Sequence, residues 1–187
     1  MMARALVGLL LLPAMLVAGP VETSTASGPA VSAADMRFTP AIMTIAVGQS
    51  VIWGFPDAVA HTSTSDQGFW DSDTQSDGST FSRTFPSAGT FPYHSSHHRE
   101  MTGKIRVPVT RAGSTADGWT LTWATTSATR TFDVQVRKGK KPWRVQWNRT
   151  ASVGGSFERK GTWSVRVRTH QGSSTSGWSP VVTVTTR

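Results

Sequence analysis

From Met36 onward apolar residues recur at every second position in short runs separated by turn-forming residues, the period of half-buried β-strands. Met43, Ile45 and Val47 alternate with Thr44 and Ala46 as far as Gly48. Val51, Trp53 and Phe55 then alternate as far as Pro56-Asp57, which predicts a strand, a turn and a second strand. Met36, Met43 and Trp53 read as core or rim positions. The Asp-, Ser-, Gly- and Thr-rich stretch 66–80 predicts a long loop interrupted by Phe69-Trp70, and Ala88-Gly89 opens the strand that carries Tyr93. Beyond Val107-Pro108 the alternation resumes: Trp119, Leu121 and Trp123 share one strand face. Phe132, Val134 and Val136 alternate with Asp133, Gln135 and Arg137, and Trp163, Val165 and Val167 with Ser164, Arg166 and Arg168. Period-two alternation on three strands implies a sandwich with one wet face. No helical periodicity of useful length interrupts the pattern, so the expected fold class is all-β, with two consecutive β-sandwiches.

The 187 residues suffice for two small β-domains once a leader is set aside. Residues 1–33 read as a signal peptide and polar leader: a short basic start ending at Arg4, then an apolar segment, Ala5 to Ala18, too short to span a bilayer. Residues 34–108 form the first expected domain, 109–118 a polar linker and 119–187 the second. The mature chain is expected to be secreted or extracytoplasmic, without a transmembrane segment. Cysteine is absent, which excludes a disulfide framework, a lipid-attachment cysteine and any thiolate ligand. Stability must therefore come from packed cores, which eight tryptophans and eight phenylalanines can supply. Charge is uneven: residues 20–108 carry five Lys/Arg against eight Asp/Glu, and residues 109–187 carry thirteen against three. The second half is suited to anionic polymers or surfaces, or to solubility alone.

The most informative stretch is Phe91-Pro92-Tyr93-His94-Ser95-Ser96-His97-His98-Arg99-Glu100-Met101-Thr102-Gly103. Together with Phe38-Thr39-Pro40, Val47-Gly48, Val51-Ile52-Trp53, Ala60-His61-Thr62 and Ala88-Gly89-Thr90, it resembles the cupredoxins, the plastocyanin and amicyanin group, over essentially a whole domain. The resemblance implies a cupredoxin-like Greek key binding one copper ion. The ligand positions it implies are His61, Ser95, His98 and Met101, with serine standing where the family has cysteine. An alcohol stays a neutral, weak ligand or none at all, where a thiol would be deprotonated by the metal. Two imidazoles and a thioether still suit copper, with His97 the next donor in reach. By strand alternation, if Tyr93 and Ser95 point inward, His94 between them points outward.

Residues 112–187 resemble a fibronectin type III module through Trp119-Thr120-Leu121-Thr122-Trp123, Phe132 to Arg137, Gly161 to Arg168 and Ser176-Gly177-Trp178-Ser179-Pro180. The resemblance implies a fibronectin type III or Ig-like sandwich serving as spacer or binding surface. Arg137, Lys138, Lys140, Lys141 and Arg144, interleaved with Trp143 and Trp147, could grip an anionic cell-wall or surface polymer. Nucleic acid is not an expected partner. No paired carboxylate, Ser-His-Asp arrangement or phosphate-cradling glycine loop stands in adequate context, so no catalytic residues and no enzyme are expected. The expected function is a secreted copper-binding or copper-buffering protein with a thiolate-free His/Met site, not an electron carrier. The competing expectation is an extracellular adhesion or scaffold protein with a vestigial metal site.

Overall fold

The computed structural model describes residues 28–187; the expected signal peptide lies, up to residue 27, outside the described residues. The alternating runs fold as β-strands and no helix occurs among the described residues. The first eight strands are β1 (Ala30–Ala34), β2 (Arg37–Thr39), β3 (Ile42–Thr44), β4 (Ser50–Phe55), β5 (Thr64–Ser65), β6 (Ser79–Thr84), β7 (Gly89–His94) and β8 (Thr102–Val107). They form two four-stranded sheets, β2-β1-β4-β6 and β3-β8-β7-β5. Parallel pairing of β1 with β4 and of β3 with β8 makes both sheets mixed.

Alternation places Val51, Trp53 and Phe55 of β4 and Phe91 and Tyr93 of β7 in one shared core. Trp53 and Tyr93 meet edge to face, 5.5 Å between centroids at 87°, and Phe38 packs 4.6 Å from the same phenol ring. Such aromatic pairs contribute ~0.5–1.5 kcal/mol beyond the area they bury. Met36 departs from its core-or-rim expectation. It is 56% exposed, because Asp35 and Met36 both take positive φ, 51° and 58°, in the tight turn joining β1 to β2. β1, apart from Ala34, lies within the stretch read as leader, where its small residues give no strong alternation.

The remaining strands are β9 (Thr110–Ser114), β10 (Gly118–Thr122), β11 (Thr131–Lys138), β12 (Arg144–Thr150), β13 (Gly154–Phe157), β14 (Gly161–Gln171), β15 (Ser174–Thr175) and β16 (Val182–Thr186). A three-stranded sheet, β13-β10-β9, faces a larger one in the order β12-β11-β14-β15, with β16 also on β14. The expected linker 109–118 is thus largely strand: β9 pairs with β10 from Thr110↔Thr122 to Ser114↔Gly118. Its polar sequence follows from its position at a sheet edge, with every residue exposed except the half-buried Ser114. Leu121, Trp123, Phe132, Val134, Val136, Val165 and Val167 fill the second core as alternation requires.

The two halves are joined by more than chain continuity. Thr90 and Gly177 exchange backbone hydrogen bonds at 3.0 and 2.9 Å, the Ala88 N–H donates to the Trp123 carbonyl at 2.7 Å, and the Thr169 hydroxyl donates to the Ala88 carbonyl at 2.8 Å. β7, the strand that leads into the histidine loop, is therefore held along its start by the second sandwich.

Candidate metal centre

Alternation along β7 continues one step past its end, so Ser95 is fully buried like Phe91 and Tyr93, and His94 turns outward. There the His94 Nδ1 lies 2.6 Å from Asp66 Oδ1, away from the interior. The loop back to β8 is closed by its own backbone: Ser95 N–H to Met101 C=O at 3.0 Å, His98 N–H to Ser95 C=O at 3.1 Å, and Met101 N–H to His98 C=O at 2.9 Å. These bonds turn His98 and Met101 back over Ser95. Met101 is 1% exposed.

His61 arrives from the other direction. Its backbone is clamped to Gln75 by reciprocal bonds of 2.9 and 2.8 Å. The next residue staples its loop to the histidine loop. Thr62 N–H donates to Ser95 Oγ at 3.2 Å, and Ser96 N–H donates to Thr62 Oγ1 at 2.8 Å. The result sets the fully buried His61 ring 5.0 Å, centroid to centroid, from the half-buried His98 ring, tilted by 53°. Both Nδ1 atoms are buried and neither has a hydrogen-bond partner among the described residues. Buried polar atoms are normally partnered, so two orphaned ring nitrogens on neighbouring imidazoles fit a cation as their missing partner.

Asp57, four residues before His61, supplies what the sequence reading missed. Its Oδ1 lies 3.1 Å from His61 Nε2. A carboxylate there accepts an N–H, which fixes the proton on Nε2 and leaves the Nδ1 lone pair free to ligate. Burial would raise the Asp57 carboxyl, but the Asp35 N–H and the His61 ring more than offset this and hold it below the usual carboxylate range. The only signal in the sequence was a carboxylate in the turn ahead of a candidate ligand.

His97 is not drawn in. It is exposed, its Nε2 lies 3.0 Å from Thr74 Oγ1, and its ring centroid is 6.5 Å from that of His98. Among the described residues no three His, Asp or Glu side chains converge as a metal-binding group. The structure thus brings the His61 and His98 rings together beside the Ser95 hydroxyl, with Met101 buried at the end of the same loop. The fifth histidine, His170, is buried in the second sandwich, its Nε2 2.9 Å from Asp133 Oδ2.

Of the basic residues singled out from the sequence, Arg137 and Lys138 end β11, Lys140 and Lys141 occupy the exposed turn that follows, and Arg144 opens β12. Arg137 lies over Trp143, 4.6 Å from its centroid, and Lys138 lies over Trp163.

Two mixed four-stranded sheets packed face to face, with a histidine loop between the last two strands, define the first half as a cupredoxin-like sandwich within an all-β chain. Solved structures similar to this chain are forms of amicyanin. A reduced Cu(I) form at pH 4 is 27% identical, with 43% of this chain and 82% of that chain covered and a TM-score of 0.42. A second reduced form is 27% identical, with 45% and 86% covered and a TM-score of 0.42. An oxidised form is 26% identical, with 43% and 81% covered and a TM-score of 0.41. No protein-family model and no curated protein matches the chain.

Proposed function

We propose that the chain is an exported copper-binding protein whose first sandwich holds one ion between His61 Nδ1 and His98 Nδ1, with Met101 as a soft third donor. The observation that carries this reading is the pair of buried, unpartnered Nδ1 atoms on rings 5.0 Å apart. Imidazole nitrogens suit Cu(II), and a thioether adds affinity for Cu(I). Ser95 contributes at most a neutral hydroxyl, already engaged by the Thr62 N–H. All four candidate donors are then uncharged, and Asp57 is the anion that reaches the centre through a ligand. Without a thiolate the ion is bound or buffered and not used as a blue-copper electron carrier, and the chain acts as a binder and not an enzyme. The second half is read as a fibronectin type III-like module, supported by its three strands facing a larger sheet, and it positions the copper domain at a surface.

The test is titration of the mature chain with Cu(II) against a competing chelator. One equivalent binds to the wild-type chain, and the joint replacement His61→Ala, His98→Ala abolishes that binding while the thermal midpoint stays within a few degrees. Absence of saturable binding, or equal binding by the double variant, refutes the proposal.

A further inference from the structure

The outer face of the larger sheet in the second sandwich carries an ordered stack of cations that the metal-site reading does not use. Register sets Asp133, Gln135 and Arg137 of β11 opposite Arg168, Arg166 and Ser164 of β14, all on the side away from the core. Trp143, just ahead of β12, and Trp178, between β15 and β16, fold across these arginines. Arg137 and Arg166 lie 4.6 and 4.3 Å from the Trp143 centroid, and Arg166 and Arg168 lie 4.6 and 4.8 Å from that of Trp178. Arg137, Trp143, Arg166, Trp178 and Arg168 thus form one line. It starts at the seam, where the Thr90 hydroxyl donates to the Trp178 carbonyl, and ends beside the exposed Lys140 and Lys141.

Hydrogen bonds fix the comb. Gln135 Oε1 accepts from Arg166 Nε and Nη2 at 3.0 and 2.7 Å, and Asp133 Oδ2 accepts from Arg168 Nε and Nη2 at 2.9 and 2.8 Å. Asp133 is the one carboxylate paired with the line among the described residues, so three guanidiniums there retain a net positive charge, and the Arg168 side chain is 38% exposed. Each indole already has two guanidiniums over it, so little ring face remains for a sugar or a base to stack on. Recognition must then run through charge and the free guanidinium N–H groups, which pair with phosphate oxygens.

We propose that this face docks a linear, acyclic phosphodiester polymer of the poly(glycerol phosphate) type, laid along the arginine–tryptophan line. A single small anion would neutralise one guanidinium and leave the others facing one another, whereas a flexible chain with one charge per unit meets each in turn.

The experiment is fluorescence anisotropy of end-labelled poly(glycerol phosphate) titrated with the full mature chain over a range of salt. Saturable binding that weakens with salt is expected. Arg137→Gln and Arg166→Gln should each weaken it several-fold and reduce the slope of log affinity against log salt by about one. Poly-L-glutamate of matched length should bind several-fold more weakly. Equal binding of polyglutamate, or a loss that follows only Lys140→Gln and Lys141→Gln, overturns the proposal. The stack also braces the sheet, so a readout free of substitutions is needed: the Nη–H resonances of Arg137, Arg166 and Arg168 in the unsubstituted chain should shift with added polymer, since the Nε–H groups of Arg166 and Arg168 are already engaged by Gln135 and Asp133. Stationary resonances overturn the proposal whatever the variants do.

Discussion

At position 95 an oxygen occupies a fully buried point on which two loops converge, and it keeps a structural task there by accepting the Thr62 N–H. Serine satisfies that bond without carrying charge, so in the proposed copper site the attraction for a cation comes from the imidazoles and from the carboxylate behind one of them. Asp57→Asn keeps an oxygen that can accept from His61 Nε2 but removes the charge. Copper affinity should fall about 10- to 100-fold while the thermal midpoint changes little, as read by chelator competition and calorimetry. Tyr93 offers an independent check on the interior, because it is the only tyrosine in the chain. Burial pushes its phenol up to about 12, with the Trp53 indole working the other way. The folded state favours the neutral form, so the stability it lends is intact below the ordinary phenol value of about 10 and is lost as pH climbs from there toward 12. Phenolate absorbance should appear only near that upper limit or together with unfolding; titration near 10 in the folded chain would contradict the packing described.

The strand pair that carries the site is fixed by close approach at one glycine. Gly103 of β8 pairs with Tyr93 of β7, and a Cβ built at Gly103 would overlap the phenol ring and its hydroxyl. Gly103→Ala should therefore destabilise by ~1–3 kcal/mol, measured by urea denaturation, and should lower copper affinity by displacing the loop that β8 anchors. No change in stability would mean that Tyr93 does not lie over this position. At this scale the strands were legible wherever large apolar residues alternate: Val51, Trp53 and Phe55 are each 0% exposed, as the period required. Legibility failed where side chains are small or polar. Residues 30–33 read as leader because only Val31 and the small Ala33 alternate into the core, and Thr110–Ser114 reads as linker because an edge strand can be specified by its neighbour's backbone without an apolar face of its own. It failed again on the wet face, where Asp133 is buried under Arg168 and His170 although its place in the alternation marks it as solvent-facing. Candidate ligands sharing one loop could be read from spacing. Asp57, and the line from Arg137 to Arg168, depend on pairings between distant segments that no local pattern encodes.

Across the whole molecule the charge asymmetry now has a location. The acidic first half carries the imidazole pair, the basic second half carries the guanidinium stack, and backbone bonds between Thr90 and Gly177 join β7 to the stretch bearing Trp178. The second half meets β7 at its start and the histidine loop follows its end, so the proposed metal capture and the proposed surface attachment share no residues. The claim on which the rest depends is that two imidazoles, unaided by a thiolate, hold the ion. Pulsed electron paramagnetic resonance on the Cu(II)-loaded mature chain measures this directly by counting coupled ring nitrogens. The account predicts two coupled imidazoles, falling to one in His98→Ala and to one in His61→Ala. A spectrum with three or more imidazoles, or one unchanged by either substitution, would contradict it.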